Sequence, residues 1–148
     1  MLDHTSTSLF RAAGLLLAAA ALLVVVGTIN VDADDGEKGA IRDVISRQLD
    51  AFRRDDGVTA FGFASPQIQG KFGTPEFFME MVKRGYPQVY RSKSAKFLGL
   101  KTIGDRIVQR VILESLGNDA VIAQYFMKKI DGRWRISGCV LVKPGEGV

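Results

Sequence analysis

Apolar and polar residues alternate in three segments near the end of the chain, residues 106–116, 120–130 and 133–142. These segments are rich in β-branched and aromatic side chains. They are separated by Gly117-Asn118 and Asp131-Gly132, pairs that tolerate positive φ and are typical of two-residue hairpin turns. A further strand is expected over residues 94–101. The pattern therefore predicts a four-stranded antiparallel meander.

Two-residue turns would fix the register of the strands and hence the face on which each side chain lies. With this register, Arg110, Tyr125 and Gly138 form one cross-strand row on an almost wholly apolar face that should take the helices. The second face is mixed but too aliphatic to lie in water, which predicts a homodimer through the sheet. Cover by a loop or terminus is the alternative, and a register shift of one residue would exchange the faces. The second face carries Ile107, Gln109, Val111, Leu113, Ile122, Gln124, Phe126, Arg135, Ser137, Cys139 and Leu141.

Before the strands, apolar residues recur at helical spacing. The stripe from Ile41 to Phe52 predicts a long amphipathic helix. Asp55-Asp56-Gly57 ends this helix and can cap a short one, and Ser65-Pro66 and Thr74-Pro75 each place an N-cap residue before a proline at the first helical position. The order of helices and strands predicts an α+β fold, with N-terminal helices packed on one face of a curved four-stranded antiparallel sheet.

Residues 1–33 have the pattern of a targeting segment. A single Arg11 precedes an uncharged apolar run, and Val31 and Ala33 are small residues at the third and first positions before a cut. The favoured prediction is cleavage after Ala33, which gives a periplasmic or secreted protein. The alternative is an inner-membrane anchor over residues 12–29, a run at the short limit of the ~17 to 25 residues that span a bilayer. The predicted organisation continues with a linker over residues 34–38, one α+β domain over residues 39–143 and a C-terminal tail over residues 144–148.

Composition excludes several kinds of chemistry. The only histidine is His4, inside the targeting segment, and the only cysteine is Cys139. After cleavage, Ser-His-Asp hydrolysis, Cys-His catalysis and histidine metal sites are therefore excluded, as is an intramolecular disulfide. No phosphate-binding glycine loop has the required spacing. We expect no cofactor and no metal.

Several segments together resemble a bacterial family of exported proteins known only as domain of unknown function 4864. These segments are IRDVISRQLDAFRRDD, ASPQIQGKFGTPEFFMEMVKRGYP, VYRS and DGRWRISGC. The resemblance covers residues 39–142, nearly the whole predicted domain. It implies a cone-shaped α+β fold similar to the nuclear transport factor 2 superfamily and cystatin-like sheets. It implies no reaction and no catalytic residues.

Folds of this cone shape often hold a ligand between helices and sheet, in a mostly apolar pocket with few polar groups. The candidate ligand-binding residues are Arg110 and Tyr125 in the predicted row, with Tyr86, Tyr90 and Arg91 in an extended segment at the pocket mouth. An arginine that faces a core needs an acid or an anionic ligand. The alternative for Arg110 is a salt bridge to Asp43, Asp50, Glu76 or Glu80, or a side chain that reaches the rim.

The sequence favours an exported cell-envelope protein that is a non-catalytic module. It would bind either a small molecule, which could be anionic, or a protein partner. One alternative is a small isomerase- or lyase-type enzyme using Tyr125 and a carboxylate. Another is a membrane-tethered interaction protein, because basic residues around the sheet suit anionic headgroups. Nucleic acid is not an expected partner. The basic residues are Lys93, Lys96, Lys101, Lys128, Lys129, Arg133 and Arg135.

Overall fold

The computed structural model describes residues 35–145. In this range helices come first and strands follow, which confirms the predicted α+β class. The elements are α1 (Asp35–Arg53), α2 (Gly57–Gly62), α3 (Pro66–Phe72), α4 (Pro75–Gly85), α5 (Pro87–Tyr90), β1 (Ser92–Ile103), β2 (Arg106–Ser115), β3 (Ala120–Ile130) and β4 (Arg133–Val142).

Helix α1 is the predicted amphipathic helix, and its apolar stripe is buried except for Val44, which is half-buried. Ile41 and Ile45 are 0% exposed, and Leu49 and Phe52 are 1% exposed. The helix begins at Asp35, so residues 35–38, expected to form a linker, are its first turn. Asp35 and Glu37 in that turn suit the positive end of the helix dipole.

Local capping accounts for the short helices. The side chains of Asp56, Ser65 and Thr74 accept hydrogen bonds from the backbone amides of Thr59, Ile68 and Phe77, so each caps the helix that the sequence predicted there. The segment after Gly85 was predicted to be extended, and this was wrong. Residues 87–90 form α5, which starts at Pro87 itself, and only the flanking Tyr86 and Arg91 are non-helical.

The four strands form one antiparallel sheet in the order β1-β2-β3-β4, as the meander predicts. The turn between β3 and β4 has the predicted two residues, Asp131 and Gly132, both with positive φ. Four residues, Leu116 to Asp119, separate β2 from β3. Ser115 N donates to Asp119 O, and this pair closes a three-residue turn, Leu116-Gly117-Asn118, in which Asn118 has φ of 64°. The pairing of Glu114 with Ala120 follows from it.

The extra loop residue shifts β2 by one position, and the predicted row of Arg110, Tyr125 and Gly138 was therefore wrong. Tyr125 pairs with Gln109 on one side and Cys139 on the other, whereas Arg110 pairs with Gln124. A bulge at Ser137 also exchanges the faces of the residues that follow it in β4, so Gly138 pairs with Phe126 and lies on the second face. The helix-facing side of β2, β3 and β4 carries Ile107, Gln109, Val111, Leu113, Val121, Ala123, Tyr125, Met127, Trp134, Ile136, Cys139 and Leu141.

The chain between α2 and α3 closes the free edge of β4. Ser65 N donates to Ile136 O at 2.8 Å, and Ile136 N donates to Phe63 O at 2.9 Å. This contact satisfies backbone groups that an edge strand would otherwise expose. It also holds α3 beside the end of the sheet, where α3, α4 and the sheet surround a cavity.

The N-terminal predictions lie outside the described residues. These are the targeting segment over residues 1–33 and the anchor over residues 12–29, and residues 146–148 of the predicted tail also lie outside. Within residues 35–145, no helix is both long enough and apolar enough to span a membrane.

Two glycine substitutions test the backbone assignment with opposite signs. Gly132 has φ of 74° in its turn, so Gly132→Ala should lower the free energy of unfolding by about 1 to 2 kcal/mol. Gly39 lies inside α1 with open space around it, so Gly39→Ala should raise it by about 0.5 to 1 kcal/mol. Urea denaturation measures both values. Equal effects of the two substitutions would contradict the assignment.

Candidate ligand-binding cavity

A cavity of about 500 Å³ lies between the helices and the helix-facing side of the sheet. Its floor is formed by buried residues of α1 and β3, including Phe52 and Tyr125, each 1% exposed. Its mouth includes the exposed side chains of Gln67 and Lys71 on α3. The remaining lining residues are Gln48, Ala64, Ile68, Phe72, Phe78, Met81, Val82, Tyr86, Val89, Ile136, Ser137, Gly138 and Cys139.

Tyr125, which lines the floor of this cavity, has a polar group without a partner within the described residues. Its hydroxyl oxygen is buried and has no hydrogen-bond partner among residues 35–145. Leaving a buried polar group unpaired costs about 1 to 3 kcal/mol. Burial, and to a lesser extent the nearby Cys139, raises the pKa of Tyr125 well above its usual value. The hydroxyl is therefore neutral at physiological pH and can both donate and accept a hydrogen bond.

Two other polar lining residues, Tyr86 and Gln48, form hydrogen bonds with the backbone. The Tyr86 hydroxyl donates to the backbone oxygen of Cys139 at 3.2 Å, which links the end of α4 to β4. Burial raises the pKa of the Cys139 thiol to about 12, so the thiol stays protonated. Gln48, which also lines the cavity, donates from Nε2 to Ala60 O at 3.0 Å and links α1 to α2.

Arg110, the predicted anion-binding residue, does not line the cavity. It lies on the second face of the sheet because β2 is shifted by one residue, and Gln109 takes the place beside Tyr125. In the described part of the chain, Arg110 forms no salt bridge, and its buried Nε has no hydrogen-bond partner. The alternative salt bridges to Asp43, Asp50, Glu76 or Glu80 are therefore not formed either.

Tyr90 and Arg91 lie away from the cavity, in a polar cluster at the end of α1. The Tyr90 hydroxyl donates to one oxygen of Asp55, and Arg91 Nη2 donates to the other at 2.6 Å. Arg91 Nη1 also donates to Phe52 O at 2.6 Å, so it caps a free carbonyl of α1. Asp55 itself has φ of 56°. Of the five predicted ligand residues, the structure brings only Tyr86 and Tyr125 together at the cavity.

Sequence reasoning missed the polar residues Gln48, Gln67 and Lys71. Gln48 could have been recognised from the sequence, because it is a polar residue within the apolar stripe of α1. No sequence pattern indicated Gln67 and Lys71. Helix α3 has no fully buried residue, and the position of α3 depends on the contact between Ser65 and Ile136. Gln109 was placed on the second face. It is 0% exposed, and its Nε2 donates to Leu98 O at 2.6 Å, beside the irregularity in β1.

The fold and cavity define an α+β protein that encloses an apolar space between its helices and a curved, open sheet. The model of the family described as domain of unknown function (DUF4864) matches residues 34–147. The chain belongs to this family, which confirms the resemblance stated from the sequence. Comparison with curated proteins finds no match.

Among solved structures, the chain is similar to an NTF-2-like protein of unknown function from Shewanella oneidensis MR-1. The two share 18% identity over 69% of this chain and 95% of that chain, with a TM-score of 0.46.

The role of Asp55 can be tested through pH. Hydrogen bonds from Tyr90 and Arg91 lower the pKa of Asp55 below its ordinary value in the folded protein. Its contribution to stability is therefore fully present above the ordinary carboxyl pKa of about 4 and is lost as pH falls through the lowered folded value. Asp55→Asn should be less stable than wild type at pH 7, and this difference should shrink below about pH 4. Thermal denaturation against pH measures it.

Asp43→Asn is the matched control, because Asp43 is an exposed carboxylate on α1 that contacts only Arg47 within the described range, at 3.5 Å. It should change stability by less than about 0.5 kcal/mol at pH 7. A difference for Asp55→Asn that does not vary with pH would show that the carboxylate charge is unimportant.

Proposed function

We propose that this protein is a non-catalytic binding protein for a small, largely apolar ligand that occupies the cavity. The observation that supports this most directly is the buried Tyr125 hydroxyl, which has no partner within residues 35–145. A group of this kind destabilises the empty protein, and a hydrogen bond from a ligand would relieve the cost. A position that only filled the core would carry an apolar side chain and would avoid this cost.

The size and lining of the cavity suit such a ligand. A volume of about 500 Å³ is within the ~300 to 1,000 Å³ that small-molecule sites occupy. Phe52, Phe72 and Phe78 supply aromatic surface, and the polar groups are few and placed at the floor and the mouth. The group that meets Tyr125 should be neutral, because a charged group at a buried site would lose its hydration without a counter-ion.

Binding is favoured over the isomerase- or lyase-type alternative. That mechanism needs a carboxylate near Tyr125, yet the described residues that line the cavity include no Asp or Glu. The raised pKa values of Tyr125 and Cys139 also keep both groups protonated at neutral pH, which suits hydrogen bonding better than proton abstraction.

Substitution of Tyr125 should separate stability from function. Tyr125→Phe removes the unpaired hydroxyl, so the ligand-free variant should be more stable than wild type by about 1 kcal/mol. The same change should reduce ligand binding, because the ligand loses its hydrogen-bond partner. Thermal denaturation measures the first effect. Native mass spectrometry of protein purified gently from cells measures the second, as a smaller fraction carrying a small-molecule adduct.

Tyr86→Phe is the control, because it removes a tyrosine hydroxyl from the same cavity but breaks the bond to Cys139 O. It should not stabilise the protein. The proposal fails if wild-type protein carries no adduct, or if Tyr125→Phe keeps the adduct fraction of wild type.

Export and a homodimer through the sheet stay predictions that accompany this proposal. The second face of the sheet carries Val140, which is 48% exposed, and Ile112, Phe126 and Val142 on the same side. This apolar surface supports a second copy as its partner. Anchoring in the inner membrane by residues 12–29, with a membrane-tethered interaction role, is the alternative.

One mass measurement tests both predictions. Protein expressed with its own N-terminus should have a mass that begins at Asp34 and should be doubled under native conditions. Val140→Lys should convert the dimer into a monomer, because it places a charge in the buried centre of the interface. Val58→Lys, at a 71% exposed position on α2, should leave the dimer intact. A monomeric wild type would contradict the dimer, and retention of residues 1–33 would contradict cleavage.

A further inference from the structure

Within residues 35–145, the lining of the cavity carries a single charge, which lies at its mouth. Lys71 is the only ionisable residue with a charge at neutral pH among the described residues that line the cavity. Its side chain is exposed at the end of α3, where Nζ lies 5.6 Å from the centre of the Phe72 ring. No acid among residues 35–145 forms a salt bridge with it.

The polar groups of the cavity therefore differ between its floor, where they are uncharged, and its mouth, where one is charged. Tyr125, with its neutral hydroxyl, lies at the floor, and most of the other lining side chains are apolar. Among the described residues, the one cation of the lining, Lys71, lies exposed at the mouth. An anionic group is stabilised next to Lys71, where it keeps part of its hydration. The same group at the floor would be desolvated without a counter-ion, since the nearest polar groups there are uncharged.

We propose that the ligand is a single-chain amphiphile with an anionic head group, such as a carboxylate, which lies against Lys71 while its apolar chain extends inward past Phe72 and Phe78 towards Tyr125. This inference rests on the proposed binding function and adds the chemical class and orientation of the ligand. A cationic amphiphile is disfavoured by repulsion from Lys71. A neutral one gains the apolar contacts alone.

Three probes with the same eight-carbon chain isolate the head group: octanoate, 1-octanol and octylamine. Calorimetric titration of the purified protein at pH 7 and low salt should give octanoate the highest affinity, about five- to tenfold above 1-octanol, which corresponds to one charge-assisted contact. Octylamine should bind most weakly. Added salt should reduce the affinity for octanoate but not that for 1-octanol, because the head group lies at an exposed position.

Substitution of Lys71 tests the orientation. Lys71→Met keeps the length and apolar stem of the side chain, so it should abolish the preference for octanoate and leave the affinity for 1-octanol within about twofold. Lys71→Arg should retain the preference. Lys83→Met is the matched control, because Lys83 Nζ also lies over an aromatic ring, 5.3 Å from that of Tyr90, yet does not line the cavity. It should change none of the three affinities.

The outcomes separate this inference from the proposed function. Equal affinity for octanoate and 1-octanol in wild type would overturn the anionic class while supporting an apolar cavity that binds ligands. Equal loss of both affinities in Lys71→Met would overturn the orientation, because the lysine would then act only on the shape of the mouth. If none of the three probes binds, the amphiphile class is wrong, and the Tyr125 variants decide the proposed function separately.

Discussion

The side chains that lie next to Tyr125 in the core depend on the register between β2 and β3. The three-residue turn Leu116-Gly117-Asn118 sets this register, and strand side chains alternate, so a change of one residue would exchange the two faces of β2. Val111 and Leu113 would then leave the core, and Arg110 would enter it beside Tyr125. A positive charge would then lie beside Tyr125 instead of the neutral Gln109. The register therefore decides whether a charged or an uncharged side chain lies next to Tyr125.

Polar groups inside this fold differ in whether they are satisfied. Gln48 donates to Ala60 O, and Gln109 Nε2 donates to two backbone carbonyls, so both amides join separate parts of the chain, although Gln109 Oε1 is buried without a partner in the described range. Such bonds stabilise the arrangement of helices and strands around the cavity. Tyr125 makes no comparable bond within the described range and contributes nothing of this kind to stability. A residue that only filled the core could be phenylalanine, and the hydroxyl therefore points to a role outside stability.

The parts of the fold that depend on neighbouring residues were predicted from the sequence. Ser65-Pro66 and Thr74-Pro75 start helices because an N-cap bond joins residues three positions apart, and α1 follows from the spacing of its apolar residues. The faces of β2 and the end of β4 were not predicted. Asn118 at positive φ fits a loop of two or three residues equally well, and no local pattern marked the bulge at Ser137. Lys71 reaches the cavity only through distant contacts of α3.

The three tyrosines show how position alone assigns different roles to one side chain. Tyr90 is exposed enough to share Asp55 with Arg91, so its hydroxyl holds the end of α1. Tyr86 reaches a backbone carbonyl of β4 and fixes α4 to the sheet. Tyr125 lies at the centre of β3, where the paired residues Gln109 and Cys139 satisfy none of its hydrogen-bonding capacity. Because the first two hydroxyls are already used by the fold, Tyr125 is the tyrosine that can give a new hydrogen bond to a ligand without breaking an existing one.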